Sequence, residues 1–423
     1  MKIGIIGAGF TGLSAAFYLQ KKGHQVTVFE KEKNPGGLAL GFKESGWGWT
    51  LEEHYHHFFT NDNSILKLAK EINQQILTNH PKTSVFIQNK NYRLDSPLEL
   101  LKFGKLSFFE RIRMGIGLAL LKYNPFWKPL EKLQAQNFLP KLLGIKSYKL
   151  IWEPQLIGKF GNFTPTISLA WFWARIKKRT ANLSYPVGGF LSFAQKLSKI
   201  IEKDGGVFFY NTPVKSLENK KNKILISTDD KTFTFDKVIV TLPAFLFSKI
   251  AKDLPETYLK DIGNLKSLGA INMVLKLKNN FFEDGTYWLS ICDMSFPFMA
   301  AVEHTNFINK TNYNNQILVY LGKYLPFDHK YFKLSDKELF KIYEPFINKL
   351  SPDYKKKLID FKVFKSPFAQ PIIPVNYSKI MPTFKTPLEN IYLANIEQVY
   401  PWDRGTNYAV EMGEKIASLI DSL

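Results

Sequence analysis

The sequence predicts an α/β protein: a Rossmann-like dinucleotide-binding domain, discontinuous along the chain, with an inserted α+β domain. Three observations predict it. The N-terminus runs strand, glycine-rich turn, helix, strand. The C-terminus supplies one more short strand, an acid and an amphipathic helix. The two long stretches between these pieces differ in character, the first mostly helical and the second mixed. A length of 423 residues suits two or three domains, at roughly 100–200 residues each.

The first element is the strand Lys2–Ile6, read as short and buried. Gly7-Ala8-Gly9-Phe10-Thr11-Gly12 follows, a G-x-G-x-x-G, and then a helix over Leu13–Lys22 that ends at Gly23. Gly7 permits the tight turn, Gly9 lets the backbone approach a pyrophosphate, and Gly12 lets helix and strand pack closely. The helix N-terminus offers free N–H groups and a partial positive charge to the phosphates. The second strand, Gln25–Glu30, closes on an acid 23 residues after Gly7, with Lys31 beside it. A carboxylate there accepts from ribose hydroxyls and repels a 2′-phosphate, which favours an adenine dinucleotide over NADP. Lys2 and the apolar run behind it imitate a signal peptide, but four glycines interrupt the run and no small-residue cleavage site follows.

Composition narrows the function classes. The single Cys292 excludes a disulfide framework and a multi-cysteine metal site. The formal charge of +20 invites a nucleic-acid partner, yet only six of the 57 basic residues are arginine, the residue that reads bases and phosphates bidentately. No nucleic-acid partner is expected.

Glu30 is followed by five residues and then by Gly36-Gly37 and Leu38. Tyr185-Pro186-Val187-Gly188-Gly189-Phe190 precedes an amphipathic helix, a strand Val207–Tyr210 and Thr212-Pro213-Val214. Asp236–Pro243 reads as a strand returning to the cofactor unit. Near the end, the strand Asn390–Asn395 leads to Glu397, to Trp402-Asp403-Arg404-Gly405-Thr406-Asn407, and to a helix over about 407–419. In order and spread, these segments resemble the flavin amine oxidase, protoporphyrinogen oxidase and phytoene desaturase superfamily, as does Trp152–Gly161 its protoporphyrinogen oxidase branch. The resemblance implies FAD as cofactor. It implies that the Gly7–Gly12 turn, Glu30, Lys31, Gly36, Gly37 and Leu38 bind it, that the backbone of Val214 meets the adenine, and that Glu397 meets the ribityl chain. It implies that Arg404, Gly405, Thr406 and Asn407 lie at the flavin pyrimidine. Asn395 stands where the family has glycine.

The FAD-binding domain is then expected at 1–60, 185–250 and 386–423, and the substrate domain at 61–184 and 251–385. Helices are expected over Asn63–Ile72, Pro97–Lys102, Leu106–Lys122, Lys128–Phe138 and about Asp336–Leu350, and strands over Ala270–Leu277 and Ile317–Leu321. Leu51–Phe59 holds His54, His56 and His57 and reads as a strand, and the resemblance implies that it passes beside the flavin ring. Tyr55, His56 and His57 are the catalytic candidates, one of them serving as acid or base near neutral pH. No metal is expected, because no cysteine or acid cluster completes a ligand set. The lysine that flavin amine oxidases place near the flavin falls on Asn272 or Met273, which points away from amine oxidation.

The expected reaction is hydride transfer from an organic, apolar substrate to flavin N5, with oxygen or a quinone as the final acceptor. Two rivals stand beside it: a redox-neutral sugar-nucleotide mutase resembling UDP-galactopyranose mutase, and a non-catalytic flavoprotein at a membrane surface. The helix at 106–122 reads first as a core-packed helix and second as a basic amphipathic contact with a membrane. No run reaches the ~18 apolar residues of a spanning helix, so a cytoplasmic protein, at most peripheral to the inner membrane face, is expected. Arg175–Arg179 reads as a solvated charge run.

Overall fold

The computed structural model describes residues 1–220 and 223–422. Its cofactor-side sheet is parallel and five-stranded, in the order Val207–Phe209, Gln25–Phe29, Lys2–Ile6, Lys237–Val240, Ile391–Leu393. Lys2–Ile6 is central because it is apolar on both faces, and Ile3, Ile5 and Ile6 are all buried. The first helix, Phe10–Lys21, packs along the C-terminal helix, Thr406–Asp421. Gly413 makes this approach close, since a Cβ there would lie 2.6 Å from Ser14 Cβ.

A second sheet of seven strands runs Leu358–Pro371, Ser267–Leu277, Ile317–Leu325, Ala300–Glu303, Trp288–Ile291, Thr83–Ile87, Lys90–Arg93. Neighbours are antiparallel except Trp288–Ile291 beside Thr83–Ile87, which are parallel. Helix Asp336–Leu350 covers one face through Leu339, Tyr343 and Ile347. It opens on a capping box of Ser335 and Glu338.

The stretch 61–184 is mostly helical, as expected, and it also contributes strands Ile76–Asn79, Thr83–Ile87 and Lys90–Arg93. The last two form a tight hairpin whose corner, Gln88 and Asn89, takes left-handed backbone. Lys128–Phe138 is not one helix but a turn at Lys128–Lys132 followed by helix Ala135–Leu143. The chain between them is extended because it bonds across to another segment: Ala135 N–H donates to Ile167 O and Leu169 N–H to Leu133 O. Leu51–Phe59 is not one strand. Only Leu51–Glu52 and Phe58–Phe59 are, and 53–57 form a loop. Side chains take its carbonyls in place of a neighbouring strand, with Asn272 Nδ2 on Glu53 O at 2.7 Å and Tyr320 OH on Glu52 O at 2.8 Å.

Helix Phe108–Tyr123 is not core-packed all round. Met114, Gly117 and Leu121 face inward, while Phe109 is 83% and Tyr123 78% exposed. No helix among the described residues is long and apolar enough to cross a membrane.

Candidate functional site

The candidate cofactor residues gather at the carboxyl ends of the parallel strands. Gly7 follows the first strand, Glu30 the second, Thr212–Val214 the Val207–Phe209 strand, Thr241 the Lys237–Val240 strand, and Glu397 the Ile391–Leu393 strand. This is where open parallel sheets bind ligands. A Cβ on Gly12 would overlap the Gly7 carbonyl oxygen, so helix and turn touch backbone to backbone. Gly36 pairs with Gly9, and Gly36 N–H donates to Ala8 O at 2.9 Å. Glu30 accepts from Ala8 N–H at 2.7 Å and Glu32 N–H at 3.0 Å, and Thr212 N–H donates to Glu30 O. Burial pushes the Glu30 carboxyl up, and those two N–H groups pull it back. Lys31 is exposed and paired with Glu32. Phe10 packs edge-on against Phe190 and Phe193, a core role.

Thr241 joins the two ends of the chain. Its hydroxyl donates to Ile6 O at 2.8 Å, while the next residues hold the C-terminal acid, Ala244 N–H donating to Glu397 at 2.9 Å and Asn395 Nδ2 to Leu242 O at 3.0 Å. Asn395 needs no glycine's freedom. Its backbone is extended, and its side chain accepts from Glu397 N–H. Gly405 leads into the last helix with no side-chain cap, and beyond it the buried Thr406 Oγ1 and Tyr408 OH have no hydrogen-bond partner. Asn407 has turned to structure: its Oδ1 accepts from Ser64 and Ile65 N–H at 2.9 and 3.1 Å.

From the N-terminus of that last helix a cavity of about 220 Å³ extends toward the seven-stranded sheet. Tyr55, His56 and His57 line it, with Tyr287, Trp288, Met299 and Tyr324. Gly322 leaves room for the Tyr55 ring, since a Cβ there would sit 2.7 Å from it. His57 Nδ1 lies 3.2 Å from Tyr287 OH, and His56 Nδ1 2.6 Å from His54 O. His54 turns away to Ser366 at 2.9 Å. A smaller space behind is lined by Leu38, His54, Asn272 and Lys323, and it shares Tyr55, His56 and Arg404 with the first. The histidines do not behave as groups poised near neutral pH. Burial pushes His57 down to about 3 and His56 to about 4, with nearby guanidiniums adding to the shift.

The wall opposite is charged. Asp403 accepts from Trp171 Nε1 at 3.0 Å and Arg404 N–H at 3.1 Å, and it pairs with Lys159 at 3.3 Å and Arg175 at 3.6 Å. The three cations hold its carboxyl at about 2 against the opposing effect of burial, while burial pushes Lys159 down to about 7. Arg404 Nε donates to Gln370 at 2.9 Å and its Nη2 to Tyr324 OH. Arg175, Lys178 and Arg179 also line the cavity, so 175–179 is not a plain solvated run. Arg179 is exposed, and it lines this cavity.

The sequence singled out Tyr55, His56, His57 and Arg404 at this cavity but passed over Lys159, Arg175, Arg179, Tyr287, Tyr324 and Asp403. Asp403 and Lys159 lay inside segments already noticed, and Arg175 and Arg179 inside a charge run. Tyr287 and Tyr324 carried no local signal.

Comparison with known proteins agrees with this layout. A family model for flavin containing amine oxidoreductases matches residues 10–419. Coproporphyrinogen III oxidase of Staphylococcus aureus (strain NCTC 8325 / PS 47) is 26% identical over 287 residues, 58% of this chain and 61% of that protein. The chain thus spans about 61% of the length of this relative. Putrescine oxidase bound to putrescine superposes with a TM-score of 0.78 at 15% identity, covering 100% of both chains. Reduced UDP-galactopyranose mutase gives 0.74 at 16% identity, over 99% of this chain and 96% of the other. At such identities these two likenesses are of fold.

Proposed function

The chain belongs to the flavin-containing amine oxidoreductases, and from that premise we propose that it binds FAD and oxidises a small organic substrate. The observation that carries the reading is the convergence of Gly7, Glu30, Val214 and Glu397 on one edge of the parallel sheet, joined through Thr241–Ala244. The residues fit the cofactor. At Gly9 a Cβ would meet nothing nearer than Gly37 Cα at 3.6 Å, so packing does not demand glycine there, whereas close approach of a pyrophosphate does. Thr406 Oγ1 and Tyr408 OH are buried polar atoms awaiting a partner at the mouth of the cavity. On this reading 1–60, 185–250 and 386–423 hold FAD, and 61–184 and 251–385 enclose the substrate.

Bound FAD would supply the hydride acceptor, N5, and pass the two electrons on to oxygen or a quinone. The chain's own contribution is placement. Tyr55, Tyr287 and Trp288 bound the substrate space, His56 and His57 are neutral hydrogen-bonding rings at its edge, and Gly405–Tyr408 present a helix N-terminus that favours negative charge. Asn272, in place of a lysine, spends its side-chain amide on Glu53 O. The test is the visible spectrum of the purified protein. Bound flavin gives two absorption bands that bleach when substrate is added without air, and a colourless protein that takes up no FAD overturns the reading.

A membrane contact accompanies this reading. Helix Phe108–Tyr123 presents Phe109, Ile112, Ile116, Leu120 and Tyr123 on one face, all exposed. Exposed Lys102, Arg113, Lys141, Lys146 and Lys149 lie on the same part of the chain. Exposed apolar side chains with exposed cations in the neighbouring segments suit an anionic lipid surface, with the protein peripheral to it.

A further inference from the structure

On the flavin oxidoreductase reading of the cavity, we infer that its substrate is an organic anion with at least two acid groups, carboxylate or phosphate, held by Arg175, Lys178 and Arg179. Five cations and three carboxylates line this space. Each carboxylate has at least one partner, and Asp62 Oδ1 and Asp95 Oδ1 are buried without one. Asp403 has its four partners, Asp62 accepts from Phe59 N–H at 2.8 Å, and Asp95 is paired with Arg93 at 2.8 Å. The cations are not all engaged. Among the described residues no carboxylate lies within ion-pair distance of Lys178 or Arg179, and the Arg179 guanidinium makes no hydrogen bond. Lys178 rests over the Trp402 ring at 4.8 Å.

The Arg179 guanidinium is exposed at this cavity, with five donors free to take an anion. Its planar fork matches a carboxylate or phosphate bidentately. Trp288, Tyr55 and Tyr287 line the same cavity, Tyr55 edge-on to Trp288 with ring centroids 4.9 Å apart, and offer apolar surface for the carbon skeleton. The surplus of positive charge works against a cationic amine. The expectation of a wholly apolar substrate gives way to an amphipathic one, acid groups toward Arg179 and carbon toward Trp288.

The test is calorimetric titration of the FAD-loaded protein. Citrate and inorganic pyrophosphate present bare acid groups, coproporphyrin III and UDP-galactose present carboxylates and a diphosphate on organic bodies, and putrescine is the cationic control. Binding of either organic acid is expected, weakened by salt, and weakened about tenfold by R179Q, the loss of one charge-assisted contact. The exposed K337Q, with the same change of charge, should leave it intact. Which of the two organic acids binds separates carboxylate from phosphate recognition. The inference is overturned if no acid binds, if putrescine binds as tightly, or if R179Q and K337Q bind alike. Should R179Q fail to fold, R179K, which keeps charge but loses the fork, and the salt dependence of the unaltered protein read the same point. Flavin absorbance is followed separately. A protein that takes up no FAD overturns the flavin reading, whereas one that holds FAD and ignores every acid overturns only this inference.

Discussion

At the carboxyl edge of the parallel sheet, Glu30 is held by backbone N–H groups 22 and 2 positions away. At the cavity wall, Asp403 is held by side chains 232 and 244 positions away, Trp171 and Lys159. The edge is built from backbone and glycine, so its tolerance is steric: an added methyl either fits or does not. The wall is built from charges contributed by distant segments, so its tolerance is electrostatic, and one group can change only if its partners change with it. The two regions should therefore fail in different ways.

The largest effects belong to the edge. Gly12→Ala drives a Cβ into the Gly7 carbonyl oxygen, and neither atom can move without breaking the turn. A loss at or above ~3 kcal/mol is expected, with no FAD retained. Gly9→Ala sharpens this, because its Cβ finds space in the protein alone. It should melt like the parent yet fail to hold FAD. An alanine at Gly9 that kept FAD would place the pyrophosphate elsewhere. At the wall, Asp403→Asn leaves Lys159, Arg175 and Arg404 facing one another without their shared anion. Urea unfolding should show a loss of about 3 kcal/mol. Adding Lys159→Met should recover part of it, because the buried cation leaves with its partner. If the double variant is no better than the single, the wall is not the balanced cluster described.

This contrast also explains what could be read from the sequence. The edge was legible because its geometry is local: G-x-G-x-x-G, the acid closing the second strand and the helix after Gly405 each announce themselves within a few residues. The helix Asp336–Leu350 was legible for the same reason, with Ser335 and Glu338 as its start signal. The wall was not legible, because nothing near Arg179 in sequence says that Asp403 and Tyr324 will line the same cavity. The loop at 53–57 misled for a related reason. Its alternating residues look like a strand, but Asn272 and Tyr320, distant in sequence, take the carbonyls a strand would have used.

A smaller effect concerns pH. Lys159, pushed down to about 7 by burial, faces Asp403, Arg175 and Arg404. Asp403, held at about 2, stays ionised across the neutral range, and the guanidiniums stay charged. Below about pH 7 Lys159 adds its charge to the cavity, and above it that charge is gone. Affinity for UDP-galactose, whose diphosphate does not titrate there, should fall several-fold, at most about tenfold, as pH rises from 6 to 8. Lys159→Gln should flatten the profile at its weaker limb. The folding consequence has the opposite sign. The unfolded lysine keeps its proton up to 10.5, so stability rises with pH between about 7 and that value. A profile that stays level in the parent protein would separate Lys159 from the binding wall.

The smallest effect tests a surface that belongs to neither region. Phe109 is 83% exposed, and its one aromatic partner among the described residues is Phe108, itself 58% exposed, so Phe109→Asp should leave both sheet edge and cavity untouched. Sedimentation with phosphatidylserine vesicles should nonetheless weaken about threefold, as one ring is lost from the lipid interface and a like charge is added. FAD content and calorimetric binding of acids should not change, because the helix meets the rest of the protein through Met114, Gly117 and Leu121 on its other side. If vesicle binding persisted unchanged and vanished instead with added salt alone, lysine charge and not the apolar ridge would carry the contact, and the exposed rings would need another partner.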